Sequence, residues 1–388
     1  MQTSASLRES WRSRGVAFLA ALCLLAVPGR AHADPPPPPF PGCATGTLPS
    51  GAFSLVCIPF PGWNGGLVIY AHGYVNFDEP LQLLPDGTSI PALILSQGFA
   101  FATTSYRQNG LAILEGAEDI SELAAAFRRS HGQVPTYIVG GSEGGLVATL
   151  MVEQSGLFLG GLAACGPIGN FRGQIDYFGD FRVLFDYYFP GFIPGEAVAI
   201  PPTVIRNWYT NYYGKLYDVL IADPTRTDEL LRVAHVPHPF SSGLPETFAI
   251  QATFALDVLR YNIFGTKDAF RKLGGHSFDN RDRIYTGSSD DVDLNRRVHR
   301  FNAQKAALRA LQAYETSGNL SKPLVTLHTT GDHVIPFLLH EPPYLAKVLS
   351  HDAGVFLVQD AVQVYGHCNF QAADLMVAFG TLRQEGGF

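Results

Sequence analysis

The sequence has 388 residues, of which 46% are hydrophobic and 12% aromatic, and its 27 basic against 34 acidic side chains give a formal net charge of −7. This composition is typical of a globular chain long enough to bury more than one core. The acidic balance, without a run of Lys or Arg, argues against a nucleic-acid partner.

The first residues carry the pattern of an export signal. Arg8, Arg12 and Arg14 precede an apolar stretch over 16–27, and the small-x-small sequence that ends at Ala33 is typical of a cleavage site. The apolar stretch is too short to cross a bilayer, which takes roughly 20 residues. We therefore predict residues 1–33 to be a signal peptide cleaved after Ala33. The mature chain is expected to be extracellular or periplasmic, without a membrane span.

Four cysteines remain after this cleavage, Cys43, Cys57, Cys165 and Cys368. An even number in an exported chain suggests disulfides, and four cysteines allow three pairings. Cys43 and Cys57 flank a short turn-rich segment and are expected to pair, which leaves Cys165 with Cys368. The alternative is four unpaired buried thiols.

Beyond a proline-rich tether at 34–42, strand and helix patterns alternate up to residue 169 and again over 321–388. This alternation predicts an α/β fold with a mostly parallel sheet and helices on both faces. Residues 170–320 interrupt it with mostly helical, aromatic segments, including one long amphipathic helix near 293–315. The sequence thus predicts one sheet core in two parts, 43–169 and 321–388, around a helical insertion.

Ser142 lies in the sequence Gly140-Gly141-Ser142-Glu143-Gly144, which fits G-x-S-x-G between a strand and a helix. A tight turn at this place would strain the serine backbone and leave no room for side chains at positions 140 and 144. It would also lift the hydroxyl clear of the sheet edge. Ser142 is therefore the candidate nucleophile.

A serine nucleophile needs a base to take its proton and an acid to orient that base. Asp332 follows the predicted strand 324–328, and His367 lies between the last strand and the last helix, in the expected chain order. We predict a catalytic triad of Ser142, Asp332 and His367. His328 and His333 also lie close to Asp332 in sequence, but neither is expected to serve as the base.

Two backbone N–H groups are expected to receive the oxyanion. The N–H of Glu143 begins the helix after Ser142, where partial positive charge collects. The N–H of Tyr74 follows His72-Gly73 in the loop after the first core strand, and its phenol is an alternative donor. Losing one such donor costs about 2.7–4 kcal/mol of transition-state stabilisation in a serine hydrolase.

These positions together make the sequence resemble the α/β-hydrolase superfamily. The resemblance rests on His72-Gly73-Tyr74, the elbow 140–144, Gly331-Asp332 and Gly366-His367, and it spans the mature chain outside the insertion. The "GHC" sequence at 366–368 is similar to exported carboxylesterases, tannases and feruloyl esterases, in which one cysteine follows the catalytic histidine and another precedes the nucleophile. Here Gly141 precedes the nucleophile, which leaves Cys165 as the partner for Cys368.

The resemblance implies that the insertion is a lid. Its many aromatic residues predict either an apolar pocket for substrate, with Tyr74, Phe181, Phe185 and Tyr188 as binding residues, or simply the core of the lid itself. The acidic stretch 290–295 lacks the glycine and the terminal acid of a calcium loop, so helix capping is expected there. No metal and no cofactor are predicted.

Three functions remain open at the level of sequence. The first is a secreted serine hydrolase of carboxylic esters, acting on a small or polymeric substrate that is aromatic, lipidic or a polyester. The second is a serine peptidase resembling the prolyl-oligopeptidase and aminopeptidase lineages, for which Asp176, Asp180, Asp186 and Glu196 could capture an amino terminus. The third is a non-catalytic binding protein on a hydrolase scaffold. The sequence does not indicate the oligomeric state.

Overall fold

The computed structural model describes residues 35–87, 89–240 and 244–387, so the predicted signal peptide and its cleavage site lie outside the described residues. Eight strands form one sheet in the order β1-β2-β4-β3-β5-β6-β7-β8. They are β1 (Cys43–Thr47), β2 (Phe53–Cys57), β3 (Leu67–Ala71), β4 (Ala100–Thr104), β5 (Thr136–Gly141), β6 (Gly160–Ala164), β7 (Leu324–Gly331) and β8 (Leu357–Tyr365). From β4 to β8 across the sheet every pairing is parallel, whereas β1 with β2 and β2 with β4 are antiparallel.

Helices occupy both faces of this sheet because the buried strands point alternate side chains to opposite sides. Leu67 and Ile69 of β3 pack in one core, together with side chains of the second and third helices, while Val68 and Tyr70 pack in another, against the first and last helices. These sheet-facing helices are α1 (Ser89–Ser96), α2 (Ile113–His131), α3 (Glu143–Gln154), α11 (Phe337–Ser350) and α12 (Ala372–Gly386). The sheet order and the helices on both faces confirm the predicted α/β-hydrolase fold.

Seven further helices lie between β6 and β7 in the described part of the chain. They are α4 (Phe171–Tyr188), α5 (Pro202–Arg206), α6 (Tyr213–Ala222), α7 (Pro224–Val233), α8 (Pro245–Leu273), α9 (Asp291–Arg297) and α10 (Lys305–Leu311), with a π-helical turn over Trp208–Tyr212. Most of them share a hydrophobic core of their own. None of the helices described for this chain is long and apolar enough to cross a membrane.

The prediction of one long helix near 293–315 is wrong, because α9 ends at Arg297 and the next helix begins only at Lys305. The backbone between them bonds elsewhere: the Phe301 N–H donates to the Asn280 side chain at 2.7 Å, and the Ala303 N–H donates to the Asp279 carboxylate at 3.0 Å. These partners are distant in sequence and compete with the helical hydrogen bonds. The helix capping expected in the acidic stretch 290–295 is present at α9, since the Asp290 side chain accepts the N–H of Asp293.

Candidate active site

Ser142 occupies the turn between β5 and α3. Its backbone φ of +54° is one that residues other than glycine rarely adopt. The neighbouring glycines explain how so tight a turn is possible. A Cβ on Gly140 would lie 1.9 Å from the Gly144 carbonyl oxygen, and one on Gly144 would lie 2.0 Å from the Ala71 carbonyl oxygen. The turn therefore requires glycine at both positions, and it places the Ser142 hydroxyl at the carboxyl edge of the sheet.

A chain of hydrogen bonds joins Ser142, His367 and Asp332. The Nε2 atom of His367 lies 2.8 Å from Ser142 Oγ, and its Nδ1 atom lies 2.8 Å from Asp332 Oδ2. The other oxygen of Asp332 accepts the backbone N–H groups of Val334 and Ile335, both at 2.9 Å. A carboxylate beside Nδ1 favours the tautomer in which Nε2 is free to accept the serine proton.

Asp332 is fully buried and nevertheless ionised. Burial alone would raise the pKa of this carboxyl, but the charge of His367 and hydrogen bonds from His328 and His367 outweigh burial and hold the pKa well below its usual range. The acid at this position is therefore an anion at neutral pH.

The two predicted oxyanion donors border the same space. Glu143 is the first residue of α3, where backbone N–H groups have no partner within the helix. Gly73 brings the β3 loop against Ser142, since a Cβ on Gly73 would lie 3.3 Å from the Cβ of Ser142. Tyr74 follows directly, and both Tyr74 and Glu143 line the cavity beside the serine.

This cavity has a volume of about 80 Å³ and is almost entirely apolar. The sheet core contributes Tyr74, Leu111, Ser142, Glu143, Pro167, Val334 and Ile335. The insertion closes the other side with two helices, α4 through Phe171, Gln174, Ile175 and Phe178, and α8 through Tyr261, Gly265, Thr266 and Ala269. Tyr261 lies between Tyr74 and Phe178, with ring centroids 5.6 and 5.4 Å away.

Three of the residues predicted to bind substrate do not reach this cavity. Phe181, Phe185 and Tyr188 are buried in the core of the insertion, and the Tyr188 hydroxyl donates to Glu229 at 2.9 Å. For Phe185 and Tyr188 the physical reason is distance along α4, because they lie seven and ten residues beyond Phe178, about 10 and 15 Å at 1.5 Å per residue. These three side chains therefore belong to the core of the insertion, which was the alternative to a role in substrate binding, whereas Tyr74 lines the cavity.

The side chain of Glu143 is a feature that sequence reasoning missed. It is buried, and one of its oxygens accepts the Ala112 N–H at 3.1 Å. Burial raises the pKa of this carboxyl to about 8, while the Ala112 N–H and the charge of Lys272 oppose the shift only in part. Lys272 itself is engaged by Asp268 and by the Leu111 carbonyl. The only signal in the sequence was the position of Glu143 next to the serine.

Two disulfides are present, Cys43–Cys57 and Cys165–Cys368. The first joins directly opposed residues of β1 and β2 at the edge of the sheet. The second joins the residue after β6 to the residue after His367, with Cα atoms 5.5 Å apart. The absence of a metal stays a prediction.

The chain matches no known protein-family model and no curated protein sequence. Among solved structures it is similar to the Pyrococcus horikoshii acylaminoacyl peptidase (TM-score 0.43, 11% identity, covering 89% of this chain and 41% of that one). It is also similar to a Pyrococcus furiosus esterase (0.45, 10%, covering 92% and 98%) and to the proline iminopeptidase of Mycobacterium smegmatis (0.41, 11%, covering 88% and 99%). The chain spans about two fifths of the length of the acylaminoacyl peptidases. At these TM-scores the likeness says nothing of activity, and the fold assignment rests on the sheet.

Proposed function

We propose that this protein is a secreted serine hydrolase that cleaves carboxylic esters through an acyl-enzyme intermediate. The observation that carries the proposal is the hydrogen-bonded chain from Ser142 Oγ through both ring nitrogens of His367 to Asp332, with 2.8 Å at each link. Nucleophile, base and orienting acid within this reach are the geometric signature of nucleophilic catalysis by serine.

In the proposed reaction, Ser142 Oγ attacks the ester carbonyl carbon while its proton passes to His367 Nε2. The charge that develops on the carbonyl oxygen is received by the N–H groups of Glu143 and Tyr74. His367 then gives the proton to the departing alcohol, which leaves the acyl group on Ser142. Water attacks this acyl-enzyme, again giving its proton to His367, and the acid departs as the proton returns to Ser142.

The surroundings of the site favour an ester over a peptide with a free amino terminus. Asp176 and Asp180, two of the acids expected to capture an amino group, both pair with Arg283, and Asp186 pairs with Arg182. The single carboxyl that lines the described cavity is that of Glu143, whose raised pKa keeps it largely protonated at neutral pH. A buried ammonium group would therefore find no anion among the residues described as lining this cavity.

The size and lining of the cavity favour a short apolar acyl group. Its volume of about 80 Å³ leaves little room beyond the reacting carbonyl, and aromatic and aliphatic side chains form nearly all of its wall. Residues 170–320 act in this proposal as the lid, because α4 and α8 form one side of the cavity. The alcohol side of the substrate, small or polymeric, is left open.

Secretion is part of the proposal on two grounds. The first is the predicted signal sequence, and the second is the pair of disulfides, which persist in oxidising compartments and are rare in the cytosol.

A short p-nitrophenyl ester and an aminoacyl p-nitroanilide, offered to the same preparation, test the reaction class. We expect turnover of the ester to exceed that of the anilide, and a fluorophosphonate to label the protein. Ser142→Ala should lose ester turnover and fluorophosphonate labelling, whereas Ser155→Ala, at the other end of α3, should keep both. Faster anilide turnover would favour the peptidase, and equal labelling of wild type and Ser142→Ala would favour a non-catalytic binding protein.

A further inference from the structure

A second histidine lies directly behind the acid of the triad. His328 is a residue of β7, four positions before Asp332, and it is completely buried. Its Nδ1 atom lies 3.0 Å from Glu341 Oε1 on α11, and its Nε2 atom lies 2.9 Å from the Ile335 carbonyl oxygen. The same Nε2 atom is 3.5 Å from Asp332 Oδ2, the oxygen that contacts His367.

These partners determine where the protons of His328 are. A carbonyl oxygen only accepts, so Nε2 must carry a proton toward Ile335. The Oε2 atom of Glu341 already receives the Thr326 hydroxyl and the Gln359 amide, both at 2.6 Å, which stabilises an ionised carboxylate. Nδ1 must then donate to Oε1. Both ring nitrogens carry protons, and His328 is an imidazolium.

The charges of the other groups around His328 are consistent with one buried cation at this position. Asp332 and Glu341 are two carboxylates that face it, whereas His340, its neighbour on α11, is neutral. The Nδ1 atom of His340 accepts the Gly169 N–H, and burial together with the charge of His328 lowers the pKa of His340 well below its usual value. Burial by itself would lower the pKa of His328 too, but hydrogen bonds with Asp332 and Glu341 outweigh it and raise the pKa to about 9.

We propose that His328 is a positioning residue for the triad: as a buried cation behind Asp332, it keeps this carboxylate ionised and aimed at His367. The inference rests on the proposed hydrolase function. Without the cation, two carboxylates would share one buried site, and one of them would take up a proton at a much higher pH. A protonated Asp332 could not stabilise the His367 imidazolium that forms in the reaction, and a proton on Oδ2 would favour the wrong tautomer of His367.

The pH dependence of ester hydrolysis tests this role. In His328→Gln we expect the acid limb of kcat/KM to move to higher pH, because Asp332 would take up a proton at a pH where the wild type keeps it ionised, and His367 would lose its orienting anion. His340→Gln is the matched control, because it replaces a buried histidine of the same cluster without removing a charge, and its acid limb should stay in place. An unmoved acid limb in folded His328→Gln would overturn the inference.

Neutron diffraction from wild-type crystals at pH 7.5 tests the protonation without any variant. Deuterium on both ring nitrogens of His328 is expected, and deuterium on Glu341 instead of Nδ1 would overturn the inference while leaving the proposed hydrolase standing. Failure of the proposed function would be seen differently, as a wild-type protein that neither hydrolyses esters nor reacts with a fluorophosphonate.

Discussion

The disulfide between Cys165 and Cys368 ties the loop that carries His367 to the end of β6, across 203 residues of sequence. Cys368 is adjacent to the histidine, and its Sγ atom lies 3.6 Å from His367 Nε2. The cross-link therefore fixes the loop that carries the base of the proposed triad.

We expect Cys165→Ser/Cys368→Ser to lower kcat/KM by up to about 10²-fold, because a displacement of the base by about 1 Å has effects of this size. Stability should fall by about 2–5 kcal/mol, measured by urea unfolding. Cys43→Ser/Cys57→Ser, which removes a disulfide from the far edge of the sheet, should keep its activity. Full activity in strong reductant, with four thiols titrated, would contradict the role assigned to this cross-link.

Asp332→Asn tests the orientation of His367. The amide can still accept from Val334 and Ile335 but no longer holds Nδ1 as the donor, so kcat should fall about 10⁴-fold, as expected when the base has the wrong tautomer. Asp352→Asn, at an exposed position after α11, is the control and should retain wild-type kcat. Thermal unfolding of both variants separates lost catalysis from lost fold. Wild-type turnover by a folded Asp332→Asn protein would remove Asp332 from the mechanism.

Much of the fold was predictable because its signals are local. The apolar runs that became β3 and β5, and the glycines around Ser142, act within a few residues of one another. The order in which Asp332 and His367 follow their strands then placed them at the same sheet edge as the serine, since parallel strands end together.

The cavity wall was not predictable in the same way, because it depends on how α4 and α8 cross above the sheet. Phe178 and Phe185 are both aromatic residues of α4, and nothing in their local sequence indicates that one lines the cavity while the other lies in the insertion core. The helix predicted over 298–304 was wrong for a related reason, since Asp279 and Asn280, from a distant part of the chain, accept hydrogen bonds from the backbone of this segment. Tertiary contacts decided both outcomes.

Glu143→Gln should change how stability depends on pH. The folded-state pKa of Glu143, about 8, lies above its unfolded value, so its contribution to stability is complete below about pH 4.3 and is lost as pH rises toward 8. The glutamine variant has no ionisable group at this position, so it does not lose stability in this way as the pH rises. Its free energy of unfolding relative to wild type should therefore rise between pH 5.5 and 7.5, by at most about 1.4 kcal/mol per pH unit.

Urea unfolding at the two pH values measures this difference. Glu118→Gln removes a carboxylate from an exposed position on α2 and controls for a change in net charge. A free-energy difference between Glu143→Gln and wild type that stayed constant with pH would show that Glu143 is not protonated in the folded protein.

Tyr261→Ala should broaden the range of acyl chains that the protein accepts. Tyr261 contributes from α8 to the wall of the cavity, between Tyr74 and Phe178, so its truncation extends an apolar space of only about 80 Å³. The ratio of kcat/KM for p-nitrophenyl decanoate to that for the butyrate should rise, while the butyrate value itself should fall as its contacts are lost. Tyr209→Ala, which truncates a 60% exposed tyrosine of the same insertion, is the control and should leave the ratio unchanged. If Tyr261→Ala also left the ratio unchanged, the acyl group would have to lie elsewhere, and the large cavity beside Arg172 and Leu338 would be the next place to test.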